Sequence, residues 1–221
     1  MDKKIALVTG ASRGIGRAVA LELASNNIHV VALARTVGAL EALDDEIQKL
    51  GGSATLIPQD LLKLEDLDSL GPALYEKFGK LDIFIGNAGL LGTLGPMAHA
   101  NPKDVEKVFK VNVLANQRLL RTLDPLLQKA EKADVLMLTT SERAMAGRAY
   151  WGVYGGSKAA LLAFTNAYAG EVEQTNINVQ AFNPGAVRTA MRAEAMPGED
   201  PETLPTPEET AKQIINLLQA V

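Results

Sequence analysis

Short apolar runs that alternate with longer amphipathic segments are the feature that most constrains the fold of this chain. The apolar runs, several of them apolar at consecutive positions, are typical of strands covered on both faces and span 4–9, 29–34, 53–59, 81–88, 133–140 and 177–184. The segments between them have helical periodicity and span 14–26, 36–50, 63–78, 102–129, 152–175 and 207–220. The alternation predicts right-handed crossovers and an α/β fold: one doubly wound parallel sheet of six strands, with helices on both faces.

The chain contains no linker long enough to divide it into domains. Its 221 residues, 47% of them hydrophobic and 22% charged, are enough to enclose one sizeable core. The proline-rich stretch 196–207 joins the last predicted strand to the last helix, which is typical of a surface flap. We therefore expect a single domain over 1–221, with a substrate loop at about 186–207.

Composition excludes several classes of function. A formal net charge of −4 gives no electrostatic case for binding to nucleic acid or to a membrane surface. The chain has no cysteine, which excludes disulfides and thiolate metal sites, and no metal is expected. The two histidines, His29 in a predicted strand and His99 in a loop, are interpreted as structural. No run approaches the ~20 apolar residues of a membrane helix, so we expect a cytoplasmic protein that acts on a small molecule.

The first predicted strand is followed at once by the glycine-rich turn "TGASRGIG", which contains Gly10, Gly14 and Gly16. Glycine lets the backbone turn tightly and lets a pyrophosphate approach the amide groups, and the next helix adds unpaired N–H groups at its N-terminus. A Rossmann-type, dinucleotide-binding domain is therefore predicted. The G-x3-G-x-G turn resembles the cofactor turn of the short-chain dehydrogenase/reductase family. The predicted cofactor contacts in the turn also include Ser12, Arg13 and Ile15.

The end of the second strand bears on the choice of cofactor. Enzymes selective for NAD usually carry an acidic residue there, which binds the ribose hydroxyls. This chain has Ala34 followed by Arg35, with Arg13 in the glycine turn. Two guanidinium groups without a competing carboxylate suit a ribose 2′-phosphate. NADP(H) is therefore predicted over NAD(H), although two solvated surface arginines would give the same pattern.

Further matches to the family follow in chain order. Asp60 resembles the acid that hydrogen-bonds the adenine edge, and Leu61 follows it where it could pack on the ring face. Three residues after the fourth strand, where the family's backbone passes close to the cofactor, are Asn87, Ala88 and Gly89. Taken without the family, Asn87 could equally cap the strand end. Beyond the sixth strand, the resemblance implies cofactor contacts at Pro184, Gly185, Val187 and Thr189.

Tyr154 and Lys158 stand one helical turn apart at the start of a long apolar helix. Carbonyl reduction with a nicotinamide cofactor needs a proton donor beside the oxygen, and a free tyrosine, with a pKa of ~10, is too weak an acid. A nearby ammonium lowers that pKa, and residues i and i+4 share a helix face. Both side chains are therefore predicted to act in catalysis and to contact the cofactor. The short residues between them, Gly155, Gly156 and Ser157, are interpreted as leaving room for a ribose. The pair matches the family's Y-x-x-x-K motif.

The resemblance implies two more catalytic residues. Ser141, just beyond the fifth strand, matches the serine that hydrogen-bonds the substrate oxygen, although it could also cap a turn and Thr140 is a conceivable substitute. Asn112 matches the asparagine that holds a water in the proton relay, with Asn116 as its rival one turn later. The implied function is an NADP(H)-dependent oxidoreductase that reduces a carbonyl to an alcohol, or the reverse.

Three questions stay open at the level of sequence. The same fold could serve a catalytically silent, cofactor-sensing regulatory protein, or an epimerase or dehydratase of nucleotide sugars. Family members commonly carry a seventh strand, for which no segment remains here, so a homodimer through 102–129 and 152–175 is expected rather than a tetramer. Four arginines near the predicted site could bind an anionic substrate or be solvated: Arg143, Arg148, Arg188 and Arg192.

Overall fold

The computed structural model describes residues 3–139 and 147–218. The strands are β1 (Ile5–Thr9), β2 (His29–Ala34), β3 (Ala54–Pro58), β4 (Ile83–Gly86), β5 (Ala133–Leu138) and β6 (Ile177–Phe182). The helices are α1 (Gly14–Ser25), α2 (Val37–Lys49), α3 (Leu70–Phe78), α4 (Pro102–Phe109), α5 (Ala115–Leu127), α6 (Gly152–Glu171), α7 (Ala190–Ala195) and α8 (Pro207–Ile215). Short 3₁₀ turns span Leu64–Ser69, Met97–His99 and Pro201–Thr203, and a π-helical turn spans Lys110–Leu114.

The six strands form one sheet in the order β3-β2-β1-β4-β5-β6, and every neighbouring pair is parallel. The predicted doubly wound, Rossmann-type sheet is therefore confirmed. Leu7 of β1 is in register with Val31 on one side and Phe84 on the other. The strand order reverses between β1 and β4, and ligands of such sheets bind beyond the carboxyl ends of the strands at this point.

Alternate residues of the central strands pack on opposite faces of the sheet, as the pleat requires. Ala6 and Val8 of β1 contribute to the core beneath α1, α2 and α8. Ile5 and Leu7 contribute to the core on the other face, beneath α3, α5 and α6. Two buried layers thus hold the sheet rigidly between helices, which fixes the positions of the loops at its carboxyl edge.

The helix boundaries differ from the prediction in several places. The segment predicted as one helix over 63–78 begins with a 3₁₀ turn, and its α-helix starts at Leu70. The segment predicted as one helix over 102–129 is interrupted by the π-helical turn, which contains Asn112. The predicted helices at 152–175 and 207–220 end earlier, at Glu171 and Ile215. The predicted flap contains α7 and a 3₁₀ turn. Hydrophobic periodicity indicates which face of a helix is buried but carries no information about where its backbone hydrogen bonds change.

Two further features of residues 3–139 and 147–218 bear on function. No helix there is long and apolar enough to cross a membrane, and no cluster of three or more metal-ligating side chains occurs there. His29, at the start of β2, hydrogen-bonds the hydroxyls of Ser53 (2.8 Å) and Thr55 (2.9 Å). These contacts fit the structural role interpreted from the sequence. The division of the chain into a single domain stays a prediction.

Candidate active site

A cleft of about 770 Å³ opens at the carboxyl edge of the sheet. It lies over the point where the strand order reverses, and it is lined by the glycine turn, the ends of β2, β4 and β5, the start of α6 and the segment 183–195. Every predicted cofactor-binding residue except Gly16 lines it. The structure therefore brings together residues that are up to about 180 positions apart in the sequence.

Thr9 and Asn87 join the ends of β1 and β4 beneath the cleft. The hydroxyl oxygen of Thr9 accepts the backbone N–H groups of Asn87 and Ala88, each at 3.0 Å. The side-chain amide of Asn87 donates to the carbonyl oxygens of Thr9 (2.8 Å) and Gly10 (3.3 Å). The side chain of Asn87 therefore braces the glycine turn, which favours the alternative that Asn87 caps the strand end. The next two residues, Ala88 and Gly89, line the cleft.

The three glycines of the turn serve different purposes. Gly10 and Gly14 have positive φ angles of 66° and 56°, a region that side chains disfavour. Gly16 is buried within α1, where a β-carbon would overlap the Gly10 carbonyl and the Asn87 amide. Gly16 does not line the cleft, so its role is packing of the helix against the turn rather than the direct cofactor contact predicted from the sequence.

Arg13 and Arg35 are both exposed, and both line the same end of the cleft. Neither guanidinium has an ion pair or hydrogen-bond partner in the described part of the chain. Arg17, by contrast, lies outside the lining and pairs with Glu46 on α2. Arg13 and Arg35 therefore offer two unneutralised cations beside the glycine turn.

Asp60 and Leu61 lie next to this end of the cleft. Asp60 uses one carboxylate oxygen to accept the backbone N–H of Leu62 at 3.0 Å, which fixes the orientation of its side chain. Leu61 is buried and presents an apolar surface to the cleft. Contacts of Asp60 with the adenine edge and of Leu61 with the ring face stay predictions from the sequence.

Tyr154 and Lys158 share one face of α6, and both line the cleft as predicted. The Lys158 Nζ atom lies 5.9 Å from the centre of the Tyr154 ring and donates to the Leu138 carbonyl oxygen at 2.7 Å. Burial lowers the pKa of Lys158 to about 8. Burial also raises the pKa of Tyr154, because the phenolate loses solvent, and this direction is opposite to the lowering expected from a neighbouring ammonium.

The two glycines between this pair do not face the cleft. Gly155 is buried, and a β-carbon on Gly156 would lie 3.8 Å from the ring of Phe109 on α4. Neither glycine is part of the cleft lining. The interpretation that they give clearance to a ribose is therefore wrong, because positions i+1 and i+2 point away from the face that carries i and i+4.

Asn112 is fully buried beside the site and does not line the cleft. Its Oδ1 atom accepts the N–H of Leu90 (2.7 Å), and its amide donates to the Leu90 carbonyl (2.9 Å) and to Ser157 Oγ (2.9 Å). Both amide hydrogens are thus committed within the protein. The side chain braces the loop after β4 against α6. The water binding that the resemblance implies for Asn112 stays a prediction. The rival Asn116 donates to the Asn112 carbonyl oxygen.

Ser157 is a functional candidate that the sequence reasoning missed. It is fully buried, accepts from Asn112 and donates to the Tyr154 carbonyl oxygen at 2.8 Å. It therefore links the π-helical turn to the first turn of α6. The available signal was its position, a small hydroxyl residue directly before Lys158 in the first turns of the helix. The predicted catalytic Ser141, with Thr140 and Arg143, lies outside the described residues.

The segment after β6 closes one side of the cleft. Gly185 has a φ of 69°, and Thr189 caps α7 by accepting the N–H of Arg192 at 3.2 Å. Arg192 and Glu199 form two hydrogen bonds of 2.5 and 2.6 Å. The hydrogen bond from Arg192 lowers the pKa of Glu199. This paired charge ties α7 to the rest of the predicted flap.

Comparison with known proteins identifies the family. The family model for short chain dehydrogenases matches residues 4–200. The uncharacterized oxidoreductase YciK of Escherichia coli is 39% identical over 210 residues, which are 94% of this chain and 82% of that protein. The crystal structure of a short chain dehydrogenase from Salmonella enterica serovar Typhi is 34% identical, with a TM-score of 0.93 over 98% of this chain and 90% of that one.

A short chain dehydrogenase from Escherichia coli, crystallised in complex with NADPH, is 35% identical to this chain. Its TM-score is 0.91, over 99% of this chain and 91% of that one. The chain belongs to the short-chain dehydrogenase family of oxidoreductases. The resemblance carried by the glycine turn and the Y-x-x-x-K motif is thereby confirmed.

Proposed function

We propose that the chain is an NADP(H)-dependent oxidoreductase that reduces a carbonyl to an alcohol, or catalyses the reverse. The observation that carries the proposal is the position of Tyr154 and Lys158 on one cleft with the glycine turn. A proton donor and a dinucleotide-binding turn are the two parts that carbonyl reduction by hydride transfer needs.

The residues of the cleft fit an NADP(H) cofactor. The turn at Gly10 and Gly14 leaves backbone N–H groups at the start of α1, and these suit a pyrophosphate. Arg13 and Arg35, which have no ion-pair partner among the described residues, suit the additional ribose phosphate of NADP(H). The sequence has arginine, and no acid for the ribose hydroxyls of NAD, directly after Ala34. The NADPH complex of the Escherichia coli relative supports the same choice.

The cofactor, when bound, supplies the hydride that the carbonyl carbon receives. Tyr154 donates its hydroxyl proton to the carbonyl oxygen, and burial favours the protonated phenol that this step consumes. Lys158, held by Leu138, places a positive charge 5.9 Å from the centre of the Tyr154 ring and stabilises the phenolate left after donation. Ser141 is proposed to polarise the oxygen, and Asn112 to hold the loop beside it through its bonds to Leu90.

Replacement of Tyr154 tests the proposed chemistry. Tyr154→Phe is expected to lower kcat by at least about a hundredfold while the dissociation constant for NADPH stays nearly unchanged. NADPH absorbance with a panel of carbonyl compounds is the measurement. Tyr168→Phe is the matched control, since Tyr168 lies on the same helix but hydrogen-bonds Asp124 outside the cleft. Full activity of Tyr154→Phe would exclude the assigned proton donor.

The same assay separates the alternatives. A cofactor-sensing protein would bind NADPH and oxidise none of it with any carbonyl. A nucleotide-sugar epimerase or dehydratase would convert substrate without net release of NADP+, because such enzymes regenerate the cofactor in each turnover. Oxidation of one NADPH for each alcohol formed is the outcome that the proposed reduction requires.

A homodimer through the long helices is part of the proposal. Leu114 in the π-helical turn and Phe164 on α6 are large apolar side chains with 42% and 43% of their surface exposed. Both lie within the segments expected to pair, and burial of such side chains against a second copy would be favourable. The cytoplasmic location stays a prediction from the sequence.

A further inference from the structure

Beside Tyr154, the cleft is lined by residues that do not belong to the predicted cofactor site. Trp151 lies at the start of α6, with its ring centre 6.1 Å from that of Tyr154 in an edge-on arrangement. Met191 and Ala195 of α7 add apolar surface. The indole of Trp151 is thus an apolar surface of the cleft on which a substrate whose carbonyl reaches Tyr154 can pack.

The group beyond that ring is a guanidinium. Arg148 lines the cleft, and its central carbon lies 4.8 Å from the centre of the Trp151 ring. Among the described residues, the one hydrogen bond of its guanidinium is a weak contact of 3.6 Å to the sulfur of Met196. Within residues 3–139 and 147–218 no carboxylate forms an ion pair with it, although its charge acts on the Glu199 carboxylate. Most of its N–H donors have no partner among those residues.

The other described arginines of this region are already neutralised. Arg188 pairs with Glu202 at 3.0 Å and lies outside the cleft lining. Arg192 lines the cleft, but its guanidinium is matched by both oxygens of Glu199. Since Glu199 is engaged by Arg192, the group of Arg148, Arg192 and Glu199 keeps a net positive charge at the substrate end.

We propose that Arg148 selects substrates that carry an anionic group, such as a carboxylate, separated from the reacting carbonyl by an apolar or aromatic spacer that packs on Trp151. The planar guanidinium offers paired N–H donors that match a carboxylate, and stacking on the indole holds it in place. This inference rests on the proposed function for its turnover assay. Arg148 acts in substrate recognition and has no part in the proton transfer.

Three aromatic aldehydes of equal shape test the selection: para-formylbenzoate, its methyl ester and para-trimethylammonio-benzaldehyde. The wild-type chain is expected to have the highest kcat/KM for the anion and the lowest for the cation. Arg148→Gln should lower kcat/KM for para-formylbenzoate about tenfold or more, mainly through a higher KM. The same substitution should leave kcat/KM for the methyl ester within about twofold of the wild-type value. Each substrate is compared between the wild type and the variant, so the different intrinsic reactivities of the three aldehydes do not affect the result.

Two further variants separate recognition from structure. Arg148→Lys keeps the charge and should retain part of the preference for the anion. Arg121→Gln removes an arginine that is exposed on α5 outside the cleft. It should leave kcat/KM unchanged for both the anion and the ester. An equal fall for the anion and the ester in Arg148→Gln would mean that Arg148 only supports Trp151, and would overturn the proposal.

A binding measurement makes the inference independent of turnover. Trp151 is the one tryptophan of the chain, so quenching of its fluorescence by benzoate reports ligands at this end of the cleft. Benzoate should bind the wild type about tenfold or more tightly than Arg148→Gln, and added salt should weaken binding. Benzoate binding that depends on Arg148, without turnover of any aldehyde, would refute the proposed reductase activity but would still support anion recognition by Arg148. Equal benzoate affinity in both proteins would overturn it even where the reductase activity is present.

Discussion

The ammonium of Lys158 donates a hydrogen bond of 2.7 Å to the backbone carbonyl oxygen of Leu138 at the end of β5. Only 4% of Lys158 is exposed, and no carboxylate pairs with it in the described part of the chain. Burial lowers its pKa to about 8, because the charged form loses solvent. A buried charge with one neutral acceptor destabilises the fold, so its presence is explained by the chemistry of the cleft.

Lys158→Met is expected to raise the free energy of unfolding by about 1–3 kcal/mol at neutral pH while abolishing NADPH turnover. Between about 8 and 10.5 the unfolded wild type binds more protons at this lysine than the folded protein. The contribution of Lys158 to stability is therefore lost as the pH falls through that window and regained as it rises. Urea unfolding of both proteins across this range should show that their difference disappears toward high pH.

The control for this prediction is Lys129→Met, which removes an exposed lysine just beyond the end of α5. That variant should unfold as the wild type does at every pH. A Lys158→Met protein that is less stable than the wild type at neutral pH would contradict the argument, since it would show that the hydrogen bond to Leu138 outweighs the loss of solvent.

Ser157→Ala should lower kcat about tenfold with little change in KM, because Ser157 positions Tyr154 through the Tyr154 carbonyl and does not touch the substrate. The unpaired Asn112 amide should also lower the free energy of unfolding by about 1–3 kcal/mol. Thr165→Val is the matched control, since Thr165 is a buried hydroxyl on the same helix that donates to Leu161 outside the cleft. The Thr165→Val variant should have a lower free energy of unfolding than the wild type and an unchanged kcat. Equal loss of kcat in both variants would argue against a positioning role.

The sequence was sufficient where a function depends on local spacing. Gly10 and Gly14 follow a strand directly, and Tyr154 and Lys158 are one turn apart, so each pair is placed by the element that carries it. The sheet followed from the alternation of strands and helices alone. The cleft then assembles by itself, because parallel strands bring their carboxyl ends to one edge.

The sequence was insufficient where a role depends on distant contacts. The bond between Asn112 and Ser157 spans 45 positions and exists because the π-helical turn meets α6. Gly16 is required by the amide of Asn87, which arrives from another strand. The direction of the Tyr154 pKa depends on burial, which no spacing of charges reveals. Each of these is a property of packing in three dimensions.

Arg35→Asp is expected to reverse the preference between the cofactors. It removes one unpaired guanidinium from the cleft and adds an acid that can bind ribose hydroxyls. The ratio of kcat/KM for NADPH over NADH should fall about a hundredfold or more. Arg17→Gln is the control, because Arg17 pairs with Glu46 outside the cleft, and its ratio should stay at the wild-type value. An unchanged ratio in Arg35→Asp would show that Arg35 is only a solvated surface residue.

Phe164→Glu should convert the proposed dimer to a monomer. A carboxylate in place of the exposed ring would be buried without a partner at the interface between copies. Light scattering after size exclusion gives the mass directly. Tyr75→Glu is the control, since Tyr75 is exposed to a similar degree, 54%, on α3. A wild-type chain that elutes with the mass of a monomer would refute the dimer. Loss of the dimer in both variants would show that the effect is not specific to an interface on α6.

His29 should make the stability of the fold depend on pH below about 6.5, the ordinary pKa of histidine. Burial and then the charges of Lys77 and Lys3 lower its pKa from 6.5. The unfolded chain therefore binds more protons just below pH 6.5, so stability contributed by neutral His29 is lost as the pH falls from 6.5 through the folded-state pKa. His29→Thr should flatten this part of the urea-unfolding profile, while His99→Gln, at the other, exposed histidine, should leave it unchanged. A profile that keeps its slope in His29→Thr would assign the pH dependence to other groups.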